Sequence, residues 1–354
     1  MIILTLYYTE VTIMNLNIIH CLRTLKHLPS RIRELENATA TLNNKIAKLE
    51  EKLQKERNNN DLLRSRIGYL ERHTRYISNR LFDNTQYPIA LASLYLERTG
   101  NTLDLNNPQT YNEKIQWFKL FGITPEITRL ADKYLVRAYV ESKIGKEYLV
   151  PLLGVWDYPE EIDFNKLPAQ FVLKTNHGCG YNYIVADKEQ MNISDAIQSL
   201  SRWLLEDFSS TSFEMQYRDI PRRVIAEKYL ANQDPYEYKI WCFNGKAEYI
   251  RVMTDSDHKH LGDFYDRNWN MMAFNCNFPN LEERAPKPNN LSEILRVSEK
   301  LAAGFPHVRV DLYRMADGKL YFSEMTFTSG SGFNKWDSRE TDAMLGRLFT
   351  YPGI

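Results

Sequence analysis

Between Ile32 and Leu70 apolar residues return every three or four positions along a strongly charged stretch. Ile32, Thr39, Ile46, Leu53, Asn60 and Ile67 occupy heptad position a, and Leu35, Leu42, Leu49, Glu56, Leu63 and Leu70 position d, with Glu, Lys and Arg filling most of the rest. A seam of this length predicts a coiled coil over about residues 30–75, following an N-terminal segment 1–29. Leucine at d, β-branched residues at several a sites and Asn60 at another favour a parallel dimer. A long helix packed on its own domain is the competing reading, because the same stripe suits an intramolecular helix hairpin.

Beyond the seam the period changes. Arg72 to Gly100 is helical in pattern and rich in aromatics, and residues 76–110 read as a helical connector. Thr110-Tyr-Asn-Glu113 is a capping box ahead of Ile115, Trp117, Phe118 and Phe121, which predicts an amphipathic helix. Another helix is expected from about Glu126 to Lys143. Short β-rich runs then appear at Phe171–Thr175, Tyr181–Ala186, Val224–Leu230, Tyr238–Phe243, Ala247–Met253, Val308–Arg314 and Lys319–Met325. Helices near Ser194–Asp207 and Leu291–Ala303 interrupt them. Antiparallel hairpins mixed with helices give an α+β class for residues 111–354.

Two dipeptides set hairpin registers. Asn244-Gly245 and Asp317-Gly318 both favour two-residue primed turns. Counting outward from the second pairs Ala316 with Lys319, Asp311 with Glu324 and Arg309 with Thr326. Partners on one sheet face have Cβ atoms about 5 Å apart, so two carboxylates there repel and call for a cation. A metal and phosphate site follows, unless both carboxylates project into water, where their repulsion falls to about 1 kcal/mol.

Composition narrows the classes. The chain has 354 residues, equal numbers of basic and acidic side chains at 45 each, and a formal net charge of zero. That balance offers no electrostatic footprint for nucleic acid or a membrane surface. Four cysteines, Cys21, Cys179, Cys242 and Cys276, lack metal or redox spacing and fit a reducing cytoplasm. The opening Met1-Ile-Ile-Leu-Thr-Leu-Tyr-Tyr has no basic flank and meets Glu10 well short of the ~20 apolar residues of a membrane span, so no integral membrane segment is expected. Met14 is an alternative start.

Several segments carry candidate chemistry. Phe171-Val-Leu-Lys-Thr-Asn-His-Gly-Cys-Gly-Tyr-Asn-Tyr-Ile-Val185 is strand, small-residue loop, strand; Gly178 and Gly180 let backbone N–H groups approach an anion, although an ordinary hairpin loop has the same composition. It is not a Walker A motif. His177 and Cys179 lack the third orienting group of a nucleophilic dyad. Glu227, Lys228 and Lys239 interrupt apolar strands, as edge charges or snorkelling side chains also do.

Taken together, Ala131-Asp-Lys-Tyr-Leu-Val-Arg137, Phe171 to Gly180, Val224-Ile-Ala-Glu-Lys-Tyr-Leu230, Tyr238-Lys-Ile-Trp-Cys-Phe-Asn-Gly245 and the final hairpin through Gly332 resemble the ATP-grasp superfamily, and more closely its TupA-like branch, associated with teichuronopeptide and other bacterial surface polysaccharides. The resemblance spans about Tyr111 to Tyr351. It implies two α+β lobes clamping ATP, with Mg²⁺, and activation of a carboxylate as an acyl phosphate that an amine attacks. On this resemblance Lys133, Lys174 and Lys239 contact phosphates, and Thr175, Asn176, His177, Gly178 and Gly180 belong to a lid. Glu227, Lys228 and Leu230 form the adenine-reading hinge, and Asp234 binds ribose. Asp311 and Glu324 hold Mg²⁺, while Arg309 and the N–H of Gly330 stabilise charge during acyl transfer. Ser329 and Ser331 are substrate contacts or simply a turn.

One departure from the family pattern stands out. Many ATP-grasp ligases have Asn two residues after the glutamate, where this chain has Thr326, and a hydroxyl is a poorer Mg²⁺ ligand than an amide oxygen. The implied substrates are a carboxylate-bearing saccharide, such as a uronic acid of a capsular or teichuronic-type polysaccharide, and an amino acid or amine. The implied setting is the cytoplasm, by the inner membrane face where such polymers are assembled; the coiled coil, outside the resemblance, predicts a homodimer or higher homo-oligomer. Asp255-Ser-Asp257 supports the alternative of a metal-dependent glycosyltransferase, though a solvated acidic turn reads the same way. A scaffold that only binds ATP is the third reading. Trp156, Tyr217, Trp269 and Trp336 read as core or fold elements before sugar platforms.

Overall fold

The computed structural model describes residues 81–351 apart from 232, 257 and 258, and, before them, 39–52, 54–56, 63, 74, 77 and 79. The chain divides into two compact units, Met1–Glu71 and Arg72–Ile354. In the first, residues 39–52 and 54–56 are helical, and Leu42 and Leu49 of the predicted d position are exposed. The rest of the predicted seam, and segment 1–29, lie outside the described residues.

In the second unit helix α1 (Tyr87–Thr99) is ended by left-handed Gly100, and its Leu91 and Leu94 pack with Phe213. The capping box forms as expected at α2 (Tyr111–Trp117): Thr110 accepts from the Glu113 N–H at 3.2 Å, and the Glu113 carboxylate accepts from the Thr110 N–H at 3.0 Å. The single helix expected from Glu126 to Lys143 is two, α3 (Pro125–Ala131) and α4 (Val136–Ile144). Asp132 breaks it by leaving the helical region at ψ 115 and accepting from the Tyr134 and Leu135 N–H groups at 2.7 and 3.1 Å. Aspartate competes for backbone donors in this way, and the break frees Lys133 from the helix.

Four strands make a smaller antiparallel sheet: β1 (Leu152–Trp156), β2 (Phe171–Thr175), β3 (Asn182–Val185) and β4 (Val224–Lys228), in the order β1-β4-β2-β3. Helix α5 (Ile193–Leu205) covers one face and contributes Leu200 to a core with Phe171, Leu173, Val224 and Ala226. The larger sheet contains β5 (Gln233–Phe243), β6 (Lys246–Ser256), β7 (Lys259–Asp266), β8 (His307–Met315) and β9 (Leu320–Thr326), ordered β7-β6-β5-β8-β9. Between β7 and β8 comes α6 (Leu291–Ala302); α7 (Arg339–Leu348) closes the chain and packs on α2.

Strand alternation decides which residues meet α6 and which face away. Ile250, Ile240, Val310 and Met325 stand in one row across β6-β5-β8-β9, all at 3% exposure or less. They pack with Leu291, Ile294, Val297 and Leu301 of α6, which recur at helical spacing. The adjacent row, Arg251, Lys239, Asp311 and Glu324, belongs to the opposite face. A one-residue slip would exchange these rows, which is why the buried face fixes the register so firmly.

Both predicted hairpins form, with one difference. Asn244 and Gly245 take φ values of 51° and 79° between paired Phe243 and Lys246, the two-residue primed turn expected. At the second hairpin Met315 donates to the Lys319 carbonyl at 2.8 Å, so Ala316, Asp317 and Gly318 form a three-residue loop with Gly318 at φ 90°. Arg314 therefore pairs with Leu320, one residue off the predicted count. A bulge between Asp311 and Leu312, opposite Ser323, restores the register, and Asp311 pairs with Glu324 and Arg309 with Thr326. The pairing is as predicted, but two compensating irregularities produce it.

Strands β1 and β7 and helix α7 escaped the sequence reading. Leu152-Leu-Gly-Val-Trp156 holds a glycine and a bulge, β7 is largely polar, and both are sheet edges. Their pairing partners define them more than their own composition does.

Candidate active site

A cleft of about 650 Å³ lies between the two sheets, within the range of about 300–1,000 Å³ typical of small-molecule sites. Its floor is the charged face of the larger sheet. Lys133, Arg137, Lys174, Gly180 and Glu227 line it from the side of the smaller sheet.

On the floor, Arg309 supplies the cation that two facing carboxylates demand. Its Nε donates to Asp311 Oδ1 at 2.7 Å, and Nη2 donates to Asp311 Oδ2 at 2.7 Å and to Glu324 Oε1 at 3.0 Å. Nη2 also reaches Thr326 Oγ1 and Nη1 reaches Ser329 Oγ, both at 3.0 Å. Thr326 in turn donates to Glu324 Oε1 at 2.6 Å. Lys239 adds a second cation, 3.4 Å from Asp311 and 2.8 Å from Glu237. Burial pushes the Glu324 carboxyl up, but Arg309, Lys133 and the Thr326 hydrogen bond outweigh it and hold the group at about 2. For Arg309 burial opposes charge, yet Asp311 and Glu324 raise its pKa well above the usual value.

Across the cleft Glu227 is the organising residue. Its carboxylate takes Lys174 Nζ at 2.8 Å on one oxygen and Arg137 Nη1 at 2.9 Å on the other. Burial is the largest influence and alone would lower the Lys174 pKa; the Glu227 charge and hydrogen bond, together with Tyr313 and Glu324, offset it and the result is a raised value. Arg137 also donates to the Val150 carbonyl at 2.7 Å. Lys133, in the break between α3 and α4, reaches the Gly178 carbonyl with its ammonium. At the outer end Asp234 pairs with Arg314 and accepts from Tyr238 at 3.4 Å.

Residues assigned to the lid separate into two groups. Gly178 and Gly180 have φ of 75° and 79°, and a Cβ on Gly178 would stand 2.7 Å from the Phe208 ring, so only glycine suits the first turn. Gly180 lines the cleft, with Cys179 beside it. Thr175, Asn176 and His177 instead are fully buried and do not line the cleft. Asn176 spans Asp132, the Pro221 carbonyl and the Arg223 N–H at 2.9, 2.8 and 2.7 Å. Thr175 donates to the His177 carbonyl at 3.2 Å, and His177 Nε2 lies 3.1 Å from the Glu206 carbonyl, with burial lowering the imidazole pKa to about 4. These three side chains brace the loop from below.

The segment Glu227–Leu230 is where the chain leaves the smaller sheet, at Lys228, before entering the larger at Gln233. The Lys228 N–H is taken by the Pro151 carbonyl at 2.9 Å and its side chain is exposed, while Leu230 is buried. Neither side chain lines the cleft, whereas the Glu227 carboxylate does. Gly330 is exposed outside the cleft at φ 61°, and a Cβ there would fall 2.2 Å from Asn334 Oδ1. Its neighbour Ser329 touches Arg309, and Ser331 donates to Ser212 at 2.9 Å. Arg137 and Glu237 line the cleft without having been singled out in the sequence, and Arg314 backs the cleft residue Asp234; Arg137 stood inside a matched motif, four residues after Lys133 on the same segment.

The donor set fits Mg²⁺ and a nucleotide triphosphate. Asp311 and Glu324 share one guanidinium, and so present their oxygens to one position where a cation sits. Two carboxylates completed by phosphate oxygens and water are the usual protein share of a Mg²⁺ sphere. Among the described residues no group of three or more His, Cys, Asp or Glu could hold a metal, so further ligands would come from the nucleotide and solvent.

A family model described as TupA-like ATP-grasp matches residues 113–350. The chain belongs to that family, and so to the ATP-grasp superfamily. A comparison with curated proteins returned no match. Similar solved structures include the ATP-grasp ligase PsnB with a minimal precursor, at TM-score 0.35 and 10% identity over 64% of this chain and 63% of that one. The L-amino acid ligase of Bacillus licheniformis gives 0.38 and 14% over 62% and 50%, and the D-alanine–D-alanine ligase of Bacillus anthracis with ATP gives 0.36 and 15% over 59% and 61%. The match spans about half to under two thirds of the length of these chains.

Proposed function

We propose that this protein is an ATP- and Mg²⁺-dependent ligase joining a carboxylate to an amine, with the carboxylate borne by a surface polysaccharide or its precursor and the amine by an amino acid or related compound. The observation that carries the reading is the pair Asp311 and Glu324, opposed on one sheet rung, beneath a cleft whose far side presents Lys133, Lys174 and Arg137.

Lys133, Lys174 and Lys239 neutralise phosphate charge, and Asp311 and Glu324 hold Mg²⁺. Phosphoryl transfer asks little covalent help from protein and mostly needs this charge balance. When bound, ATP supplies the phosphoryl group that converts the substrate carboxylate to an acyl phosphate; the amine then displaces phosphate, leaving amide, ADP and phosphate. Asp234 at the cleft's outer end suits the ribose hydroxyls, and the Lys228–Leu230 backbone suits the adenine edge. Arg309, fixed by Asp311 and Ser329, neutralises the oxygen that gains charge in acyl transfer, and the Gly330 N–H lies on the loop that Ser329 anchors. The lid assignment narrows to Gly178 and Gly180, with Thr175, Asn176 and His177 supporting them. We assign the protein to the cytoplasm beside polymer assembly at the inner membrane face; no described helix is long and apolar enough to cross a membrane.

Incubation of the full chain with ATP, Mg²⁺, uronic acids and a panel of amines tests the proposal. ADP and phosphate should appear in equal amounts only with a matched acid and amine. Consumption of a sugar nucleotide without ATP would overturn it in favour of a glycosyltransferase, whose Asp255 candidate pairs with His260 one rung before the end of the β6–β7 hairpin.

A further inference from the structure

Arg251 is a buried cation with no carboxylate partner among the described residues. It is 6% exposed, yet among the described residues it forms no ion pair. Nη2 donates to the Cys276 carbonyl at 2.6 Å, and Nε is buried without a partner. The guanidinium lies between two rings, 5.2 Å from Phe264 and 5.3 Å from Phe278. Ring faces and one carbonyl are thin compensation, since a charge taken out of water is costly unless paired and fully hydrogen-bonded. The two partly buried cations beside it on this face each have carboxylates: Lys239 has Asp311 and Glu237, and Arg309 has Asp311 and Glu324.

Its position gives the surplus charge a use. Arg251 pairs with Lys239 across β6 and β5, and Lys239 pairs with Asp311 across β5 and β8, so the three share one row and one face. Met253, next on that face of β6, and Phe278, which covers the guanidinium, both line the cleft. Two strand spacings separate Arg251 from Asp311, about 10 Å.

We propose that Arg251 binds a second acidic group of the carboxylate substrate, on the side Phe278 now covers, so that the acid entering this cleft carries two anionic groups about 10 Å apart. This rests on the ligase reading: one carboxylate is activated beside Asp311 and Glu324, and the other is the anchor. A monocarboxylate would leave Arg251 unpaired and bind more weakly.

The test compares octanedioate, long enough when extended to span that distance, with octanoate, by calorimetry on the full chain with Mg²⁺ and a non-hydrolysable ATP analogue. The wild type should favour the diacid by about tenfold or more. Arg251→Leu should abolish the preference without lowering the melting temperature, because an apolar side chain of similar reach replaces an uncompensated charge. Arg251→Lys should keep part of the preference. Equal affinity in the wild type, no binding of either acid, or a preference that survives in Arg251→Leu would overturn the proposal. So would loss of the preference with a fall in melting temperature beyond about 5 °C, which would mark Arg251 as a fastener of the 276–278 turn. The nucleotide analogue is titrated first: its failure to bind would count against the ligase reading, and the acid preference is read separately.

Discussion

Arg309 and Asp311, two residues apart on β8 and on one face of the sheet, form a bidentate ion pair with both bonds at 2.7 Å. The same guanidinium reaches Glu324, so it occupies both carboxylates that would bind the metal.

Competition between Arg309 and a divalent ion follows. Arg309→Ala should tighten Mn²⁺ binding to the nucleotide-free protein by about tenfold, followed by electron paramagnetic resonance, because the ion no longer displaces a bidentate partner. The same variant should lose about 10²–10³ in turnover if the guanidinium stabilises charge in acyl transfer. Unchanged Mn²⁺ affinity would show that Arg309 yields its bonds without penalty.

Glu227 compensates two cations with its two oxygens, and all three side chains are 11–15% exposed. Glu227→Gln should therefore cost about 3 kcal/mol of stability in urea denaturation, since it strands Lys174 and Arg137 in a poorly solvated place. A loss below about 0.5 kcal/mol would mean that water already screens the pair.

Two carboxylates pull the pH dependence in opposite directions. Glu324 is held at about 2, below its ordinary 4.5, so its stabilisation is full above 4.5 and is lost as pH falls toward 2. Asp342 is raised from 3.8 to about 6 by burial, against hydrogen bonds from Asn112 and Thr110. Between those values the folded chain keeps a proton that the unfolded chain has released, so stability falls as pH rises through that window. Each shift corresponds to up to about 3 kcal/mol. Denaturation of Asp342→Asn across pH 4–6 should show a flatter profile than the wild type, and Glu324→Gln should flatten the limb below 4.5. Parallel profiles would refute the assignments.

The heptad predicts assembly. Removing residues up to about Arg75 should convert a dimer to a monomer in sedimentation while leaving ATP binding intact; an unchanged mass would remove the coiled coil as the dimerising element.

Much of the site was legible because β-hairpin geometry is local. A turn dipeptide and a period of two place Asp311 opposite Glu324 and Arg309 opposite Thr326 without further knowledge of the fold. The count nevertheless assumed a two-residue turn, and the structure has a three-residue loop whose offset the bulge at Ser323 cancels. Hydrogen bonds to Asp132 split a helix that periodicity reads as continuous, and Thr175, Asn176 and His177 turn inward because Asn176 satisfies three distant backbone and side-chain groups. Glu227 reads as an edge charge in sequence, and its role as a double ion-pair acceptor depends on Arg137, 90 residues away.

The capping box at Thr110, the alternation that turns Ile240 and Val310 toward α6, and the glycines at left-handed turns are written in neighbouring residues, because short-range sterics and a two- or 3.6-residue period govern them. The long-range partnerships are of another kind. Arg309 shared between two carboxylates, Lys174 held by Glu227, and Arg251 left without an acid depend on which strands lie side by side, and that order comes from burying the apolar rows against α5 and α6. Charge compensation between residues far apart in the chain exists only once the sheets have assembled.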